Sequence, residues 1–116
     1  MFKYIDLPDT KIENYELLLS SLDALLDDTD DEISILSNAC SLLKYFLKNV
    51  SWVGFYLYKN KNLVLGPFQG FPACTNIEIG RGVCGTSFAE DKTILVKDVN
   101  NHPNHIACDA NTKSEI

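Results

Sequence analysis

The chain has 116 residues, of which 46% are hydrophobic, so it can build at most one domain with its own core. Its net charge of −6 argues against a nucleic-acid-binding surface, because such a surface needs a basic patch. No apolar run is long enough to span a membrane, and the N-terminus lacks the apolar core of a signal peptide. We therefore expect a cytoplasmic protein, a setting in which cysteines are more often core, metal-binding or redox groups than structural disulfides.

The first half of the chain predicts two helices. Apolar residues recur at intervals of three and four over residues 14–26, the spacing of an amphipathic helix. The acidic segment DDTDDE then ends this helix, and Asp30 or Asp31 offers a side-chain oxygen as the N-cap of the next. The second helix is predicted over residues 32–49. Cys40 lies on its apolar stripe and is interpreted as core filler, because a thiol there behaves as a small hydrophobic side chain.

From Val50 onward the pattern becomes that of strands. SWVGFYLY is rich in aromatic and β-branched residues, KNKN predicts a hairpin turn, and NLVLG predicts the returning strand. TNIEI and KTILVKDV predict two further strands, and GRGVCGTSFAE between them predicts a glycine-rich turn that opens a short helix. Two helices followed by a meandering antiparallel sheet predict an α+β fold.

Three cysteines lie in or beside turn-like segments, away from any apolar stripe. Cys74 and Cys84 are spaced C-x9-C, and Cys84 and Cys108 are spaced C-x23-C, whereas zinc sites normally use closely spaced pairs. We therefore expect no metal, with a Cys3His site that uses His102 or His105 as a minor alternative. GRGVCG matches neither common phosphate-binding glycine pattern, so no nucleotide cofactor is expected.

The local sequence around Cys108 leaves two roles open. His105 and Lys113 are nearby groups whose positive charge would lower the pKa of the thiol, whereas Asp109 acts in the opposite direction. A reactive thiol and a buried thiol are both compatible with these neighbours. His102 and His105 are interpreted as loop histidines rather than as ligands or bases.

Five segments of the sequence together resemble a known family. NVSWVGFYL, LGPFQGFPAC, IGRGVCGTS, KDVNNHPNHIACDA and KSEI, in this order and spacing, closely resemble the free methionine-(R)-sulfoxide reductases. These are enzymes with the GAF fold, an antiparallel sheet with N-terminal helices on one face. The resemblance implies one GAF-like domain over residues 1–116, in which residues 31–116 match the family and residues 1–30 form an N-terminal helix region that matches loosely.

The resemblance implies a role for each of the three cysteines. Cys108, in HIACD, corresponds to the nucleophile that attacks the sulfoxide sulfur. Cys84, in GVCG, corresponds to the thiol that closes a disulfide with Cys108, and Cys74, in PAC, to an auxiliary thiol in recycling. The chemistry suits these residue types, because reduction of a sulfoxide needs a thiolate, a proton donor and a second thiol that captures the sulfenic acid.

The resemblance also implies a substrate site and partners. Glu115, in KSEI, matches an acid that holds the substrate and handles the protons of its oxygen, and Trp52 and Tyr56 resemble an aromatic wall. The implied substrate is free methionine-(R)-sulfoxide, and the implied reductant of the enzyme disulfide is thioredoxin. No cofactor, nucleic acid or membrane is implied. The family is commonly dimeric, so a homodimer is one expected assembly.

The chain departs from the family at two single positions and at its C-terminal side. Asn100 stands where the family often has His, and Asn104 stands where Gly is usual. After KSEI the family continues with two strands, which carry two substrate-binding aspartates, and with a C-terminal helix, so the chain is interpreted as C-terminally incomplete. A non-catalytic GAF module that binds a small ligand and an inactive truncated remnant are therefore the alternatives to an enzyme.

Overall fold

A computed structural model describes residues 3–103, 106, 108 and 110–116 of the chain. Within these residues the three strands form one sheet in the order β1-β2-β3, and β2 pairs antiparallel with β3. None of the described helices is long and apolar enough to cross a membrane. The elements, in chain order, are α1 (Lys11–Leu26), α2 (Glu32–Phe46), β1 (Val53–Lys59), β2 (Asn62–Gln69), β3 (Asn76–Glu78), α3 (Gly82–Glu90) and a 3-10 turn (Val99–Asn101).

The chain forms two compact units, of which the first runs up to Gly54 and includes Pro67–Gln69. Its core lies between α1 and α2, where four side chains are buried together. The apolar stripe predicted for α1 is covered on one side only, because Leu19 and Leu26 remain more than half exposed. The four buried core residues are Leu18, Leu25, Leu42 and Phe46.

Side-chain caps fix the starts of both helices in this unit. The side chain of Thr10 accepts a hydrogen bond from the backbone N–H of Glu13, so α1 begins three residues earlier than predicted. The carboxylate of Asp31 accepts one from the N–H of Ser34 at 2.7 Å, which confirms Asp31 as the N-cap of α2. The same bond lowers the pKa of Asp31, because it favours the charged form.

Cys40 is part of this first unit and is completely buried. Its thiol donates a hydrogen bond to the carbonyl oxygen of Pro67 at 3.2 Å, and burial raises its pKa. The interpretation of Cys40 as core filler is therefore confirmed.

The second unit contains Phe55–Gly66 and the chain from Gly70 onward. The predicted hairpin turn is confirmed, because Asn60 and Lys61 both have positive φ angles, 52° and 65°, as a two-residue turn between β1 and β2 requires. In the pairing of β2 with β3, Leu63 lies opposite Ile77, and both side chains are buried.

Helix α3 packs closely on β3 through a glycine. A Cβ atom added at Gly85 would lie 2.4 Å from the carbonyl oxygen of Glu78, so only glycine allows this approach. The helix also contributes Val83 to a small core with Val96 and Val99.

The prediction of a strand over KTILVKDV is wrong in its extent, because only one residue of this segment pairs as a strand does. The structure has an isolated antiparallel bridge there, with Val96 N–H to Glu115 O at 2.8 Å and Glu115 N–H to Val96 O at 2.9 Å. The 3-10 turn Val99–Asn101, which the carboxylate of Asp98 caps, ends the extended segment after Val96. Glu115 thus pairs with this segment.

Candidate active site

The start of α3 sets the position of Cys84. Gly80 and Gly82 have positive φ angles of 84° and 63°, which ordinary side chains rarely adopt, and these turn the chain into the helix. The N–H of Gly80 then donates to the carbonyl oxygen of Gly85 at 2.8 Å, which closes the turn. Cys84 is therefore held in the first turn of α3, where it is partly buried.

The environment of Cys84 favours the neutral thiol. Burial is the main cause that raises its pKa above the ordinary value, and the negative charge of Glu115 raises it further. A hydrogen bond from the backbone N–H of Cys84 itself acts in the opposite direction and is the weakest of the three causes. At neutral pH Cys84 is therefore a protonated thiol near a carboxyl group.

The bridge to Val96 places Glu115 near Cys84. Glu115 makes both main-chain hydrogen bonds of the bridge, so the position of its backbone is fixed. The negative charge of Glu115 raises the pKa of Cys84, so the two groups interact electrostatically across 31 positions of sequence, from 84 to 115.

Tyr56 connects β1 with the loop that contains Cys74. Its phenolic hydroxyl donates a hydrogen bond to the carbonyl oxygen of Cys74 at 2.8 Å. The pKa of Tyr56 is raised, first by burial and then by the negative charge that Cys84 carries when ionised. Tyr56 is thus near Cys84 as well as bonded to the Cys74 main chain.

Cys74 and Cys108 form a disulfide, with 5.5 Å between their Cα atoms and 34 positions between them in the sequence. This differs from the pairing of Cys84 with Cys108 that the resemblance implied, since Cys84 remains a thiol. Cys74 lies in the irregular loop between β2 and β3, and its Cα is within the range that a disulfide with Cys108 needs; Cys84 lies in α3. Both bridged residues are only partly buried.

The second unit therefore brings together five of the six residues that the resemblance implies, and the sixth, Trp52, belongs to the first unit. The ring of Trp52 stacks on Phe68 at 5.6 Å between centroids, and it fills the space that a side chain at Gly54 would need. The five residues of the second unit are Tyr56, Cys74, Cys84, Cys108 and Glu115.

The histidines are described only in part. The N–H of His102 donates to the carbonyl oxygen of Val99 at 3.2 Å and so ends the 3-10 turn. The predictions for Asn104, His105 and Asp109 lie outside the described residues. Within the described part of the chain, no cluster of three or more His, Cys, Asp or Glu side chains could hold a metal ion.

One contact at this site was missed by sequence reasoning. A Cβ atom added at Gly82 would lie 2.9 Å from the Cδ1 atom of Ile106, so Ile106 packs directly against the start of α3. The carbonyl of Ile106 also accepts the N–H of Cys108 at 2.9 Å. The glycines of GRGVCG were a signal of close approach to this turn, but the sequence did not show what approaches.

No protein-family model matches this chain, whereas individual proteins match it well. Protein YtsP of Bacillus subtilis (strain 168) is 51% identical over 108 residues, which are 91% of this chain and 66% of YtsP. The free methionine-R-sulfoxide reductase of Saccharomyces cerevisiae is 45% identical over 113 residues, 91% of this chain and 63% of that enzyme. The chain thus spans about two thirds of the length of these relatives.

A solved structure of free methionine-R-sulfoxide reductase from Neisseria meningitidis, in complex with its substrate, superposes with a TM-score of 0.89. It is 37% identical, and the match covers 97% of this chain and 69% of that one. A solved GAF domain superposes equally well, at 42% identity, over 96% of this chain and 67% of the other. The predicted GAF-like α+β fold is therefore confirmed, and the chain belongs to the free methionine-(R)-sulfoxide reductase family.

Proposed function

We propose that this chain reduces free methionine-(R)-sulfoxide to methionine and uses its own cysteines as the reductant. The observation that carries the proposal is the Cys74–Cys108 disulfide, which lies in the same unit as Cys84 and Glu115 and which, once reduced to two thiols, would supply the two electrons that the reaction needs. The proteins named free methionine-R-sulfoxide reductase that resemble the chain support the choice of substrate.

In the first step, the thiolate of Cys108 attacks the sulfoxide sulfur, and the oxygen is transferred. Methionine leaves as the thioether, and Cys108 becomes a sulfenic acid. Glu115 is proposed to hold the substrate and to carry the proton that the oxygen needs, and its electrostatic effect on Cys84 supports a place in the same site.

In the second step, Cys74 captures the sulfenic acid. Its sulfur attacks the sulfur of Cys108, a disulfide forms, and the oxygen leaves as water. The pairing in the structure supports Cys74 for this role, in place of Cys84, which the resemblance favoured. Cys84 is then proposed to line the site as a protonated thiol, because its raised pKa makes it a poor nucleophile at neutral pH.

The remaining parts of the proposal rest mainly on the resemblance. Tyr56 and Trp52 are proposed as aromatic walls for the apolar end of the substrate. Thioredoxin is proposed to regenerate the two thiols by disulfide exchange in the cytoplasm. A homodimer is the proposed assembly, and light scattering on the purified chain would measure its mass.

The test is conversion of free methionine-(R)-sulfoxide to methionine with dithiothreitol or thioredoxin, followed by amino-acid analysis. Wild type should act on the (R) epimer, and Cys108→Ser should lose all turnover, while Cys40→Ala should keep it because Cys40 is buried in the first unit. Turnover by Cys108→Ser would refute the assignment of the nucleophile. Binding of the sulfoxide without turnover by wild type would identify a ligand-binding module instead.

A further inference from the structure

We propose that Tyr56 is a positioning residue that holds Cys74 ready to bond with Cys108. This role differs from that of a wall against the substrate, and its place in the catalytic cycle rests on the proposed function. The geometry that points to it is the hydrogen bond from the hydroxyl of Tyr56 to the carbonyl oxygen of Cys74 itself, 2.8 Å long and partly buried.

The segment that contains Cys74 has no regular structure, so single hydrogen bonds to neighbouring strands fix its position. Residues 70–75 join β2 to β3 without regular structure, and Gly70 at their start has a φ of 128°. One main-chain hydrogen bond, from the N–H of Leu65 to the carbonyl oxygen of Thr75, fixes the end of the segment at 3.0 Å. The bond from Tyr56 fixes the residue before it, from a position inside β1.

The step that this anchor serves is the formation of the disulfide. The thiolate of Cys74 attacks the sulfenic sulfur of Cys108, so an S–S bond forms and the S–O bond breaks. The sulfur of Cys74 is oxidised, that of Cys108 is reduced, and the hydroxide that leaves takes up a proton to become water. The rate depends on how often the two sulfurs are within reach, and a tether on the backbone of Cys74 raises that fraction.

The surroundings of Tyr56 keep the hydroxyl able to donate. Burial and the charge of ionised Cys84 both raise the pKa of Tyr56, so the phenol stays protonated throughout the pH range in which thiols exchange. Tyr56 therefore has two links within the site. Its hydroxyl is hydrogen-bonded to the Cys74 loop, and its ring is close enough to Cys84 for the charge of that thiolate to affect its pKa.

The test compares Tyr56→Phe with Tyr58→Phe in glutathione redox buffers. Tyr58 is the matched control, because it lies two residues further along β1, is 57% exposed and stacks on Phe88. The fraction of chains with the Cys74–Cys108 disulfide is measured at each ratio of reduced to oxidised glutathione by mass mapping of the bridged peptides. Loss of one hydrogen bond should lower the equilibrium constant for disulfide formation about two- to tenfold in Tyr56→Phe, which shifts the reduction potential by at most about 30 mV. The equilibrium constant of Tyr58→Phe should equal that of wild type.

An equilibrium for Tyr56→Phe equal to that of wild type would overturn the proposal. No sulfoxide is present in this experiment, so a failure of the proposed catalytic activity would leave the result intact. The rate of disulfide formation after a pulse of hydrogen peroxide, which makes the sulfenic acid directly, should fall by a similar factor in Tyr56→Phe alone.

A second measurement needs only the wild-type chain and stands even if Tyr56→Phe does not fold. Hydrogen exchange at the amide of Leu65 reports whether the carbonyl of Thr75 stays docked. If Tyr56 holds residues 70–75 in place when Cys74 and Cys108 are both thiols, the Leu65 amide stays protected from exchange after the disulfide is reduced. Exchange as fast as in an unstructured peptide on reduction would show that the disulfide alone holds the segment, and would overturn the proposal.

Discussion

Cys40 in the first unit and Cys84 in the second are both thiols whose pKa burial raises, yet their surroundings differ in kind. Cys40 is completely buried in a helix, and its thiol donates to a backbone carbonyl. Cys84 is partly buried beside an acid, a phenol and a glycine-rich turn. Burial therefore raises the pKa of both thiols, but only the pKa of Cys84 also responds to a charged neighbour, so a change of that neighbour can tune Cys84 and not Cys40.

The largest expected effect tests which cysteine of the second unit, Cys74 or Cys84, bonds to Cys108. Cys74→Ser should lose the disulfide and, with thioredoxin as reductant, lose multiple turnover by about a hundredfold or more, because the sulfenic acid has no partner. A single turnover should still release about one methionine per chain. Cys84→Ser should keep the disulfide in a non-reducing mass map, and its loss there would show that Cys84, not Cys74, is the partner.

The next effect concerns the core of the first unit. Phe46→Ala should lower the free energy of unfolding by about 3–5 kcal/mol, because Phe46 is 2% exposed and its removal leaves a cavity. Urea denaturation measures the change. The matched control is Phe71→Ala, since Phe71 is 74% exposed, and its effect should stay within about 0.5 kcal/mol. Equal effects at the two positions would contradict the assigned core.

A smaller effect is expected where α3 packs on β3 in the second unit. Gly85→Ala should cost about 1–3 kcal/mol of unfolding free energy, since the new Cβ would lie 2.4 Å from a backbone oxygen that cannot swing away. Glu90→Ala, in the same helix, removes only an exposed ion pair with Lys92 and should cost less than about 1 kcal/mol. Thermal or urea unfolding of both variants tests whether the close approach is real.

The smallest effect is a shift in the reactivity of Cys84 with pH. Because its pKa is raised above the ordinary 9.0, alkylation of Cys84 by iodoacetamide should reach its half-maximal rate at a higher pH than that of a model thiol. Glu115→Gln removes the negative charge and should move that midpoint to lower pH. A midpoint that does not move would mean that Glu115 is not a neighbour of Cys84 in solution.

Much of the local structure was predictable from the sequence. The Asp31 cap, the turn at Asn60 and Lys61 and the short helix after GRG depend on residues within about four positions of one another. Short-range hydrogen bonds and allowed backbone angles decide such features, and both follow from residue type. The blocks that resemble the family suggested six residues for the candidate site, and this assignment stays a prediction; the contacts of these residues came from the structure alone.

What the sequence could not give were the contacts between distant segments. The extended segment before Val99 was predicted as a strand, but its partner proved to be Glu115 in a single bridge. Half of the apolar stripe of α1 stayed exposed, because periodicity shows which residues share a face and not how much of that face a neighbour covers.

By itself, the sequence determined the helices, the hairpin, the inert role of Cys40 and the family, since these rest on local periodicity, turn chemistry and motif order. Only the tertiary structure decided that Cys108 bonds to Cys74, that the charge of Glu115 reaches Cys84 and that Tyr56 donates a hydrogen bond to the main chain of Cys74. The physical reason is distance along the chain. A disulfide across 34 positions forms where the backbone brings two Cα atoms within about 4.4–6.8 Å, and that approach is a property of the packed fold.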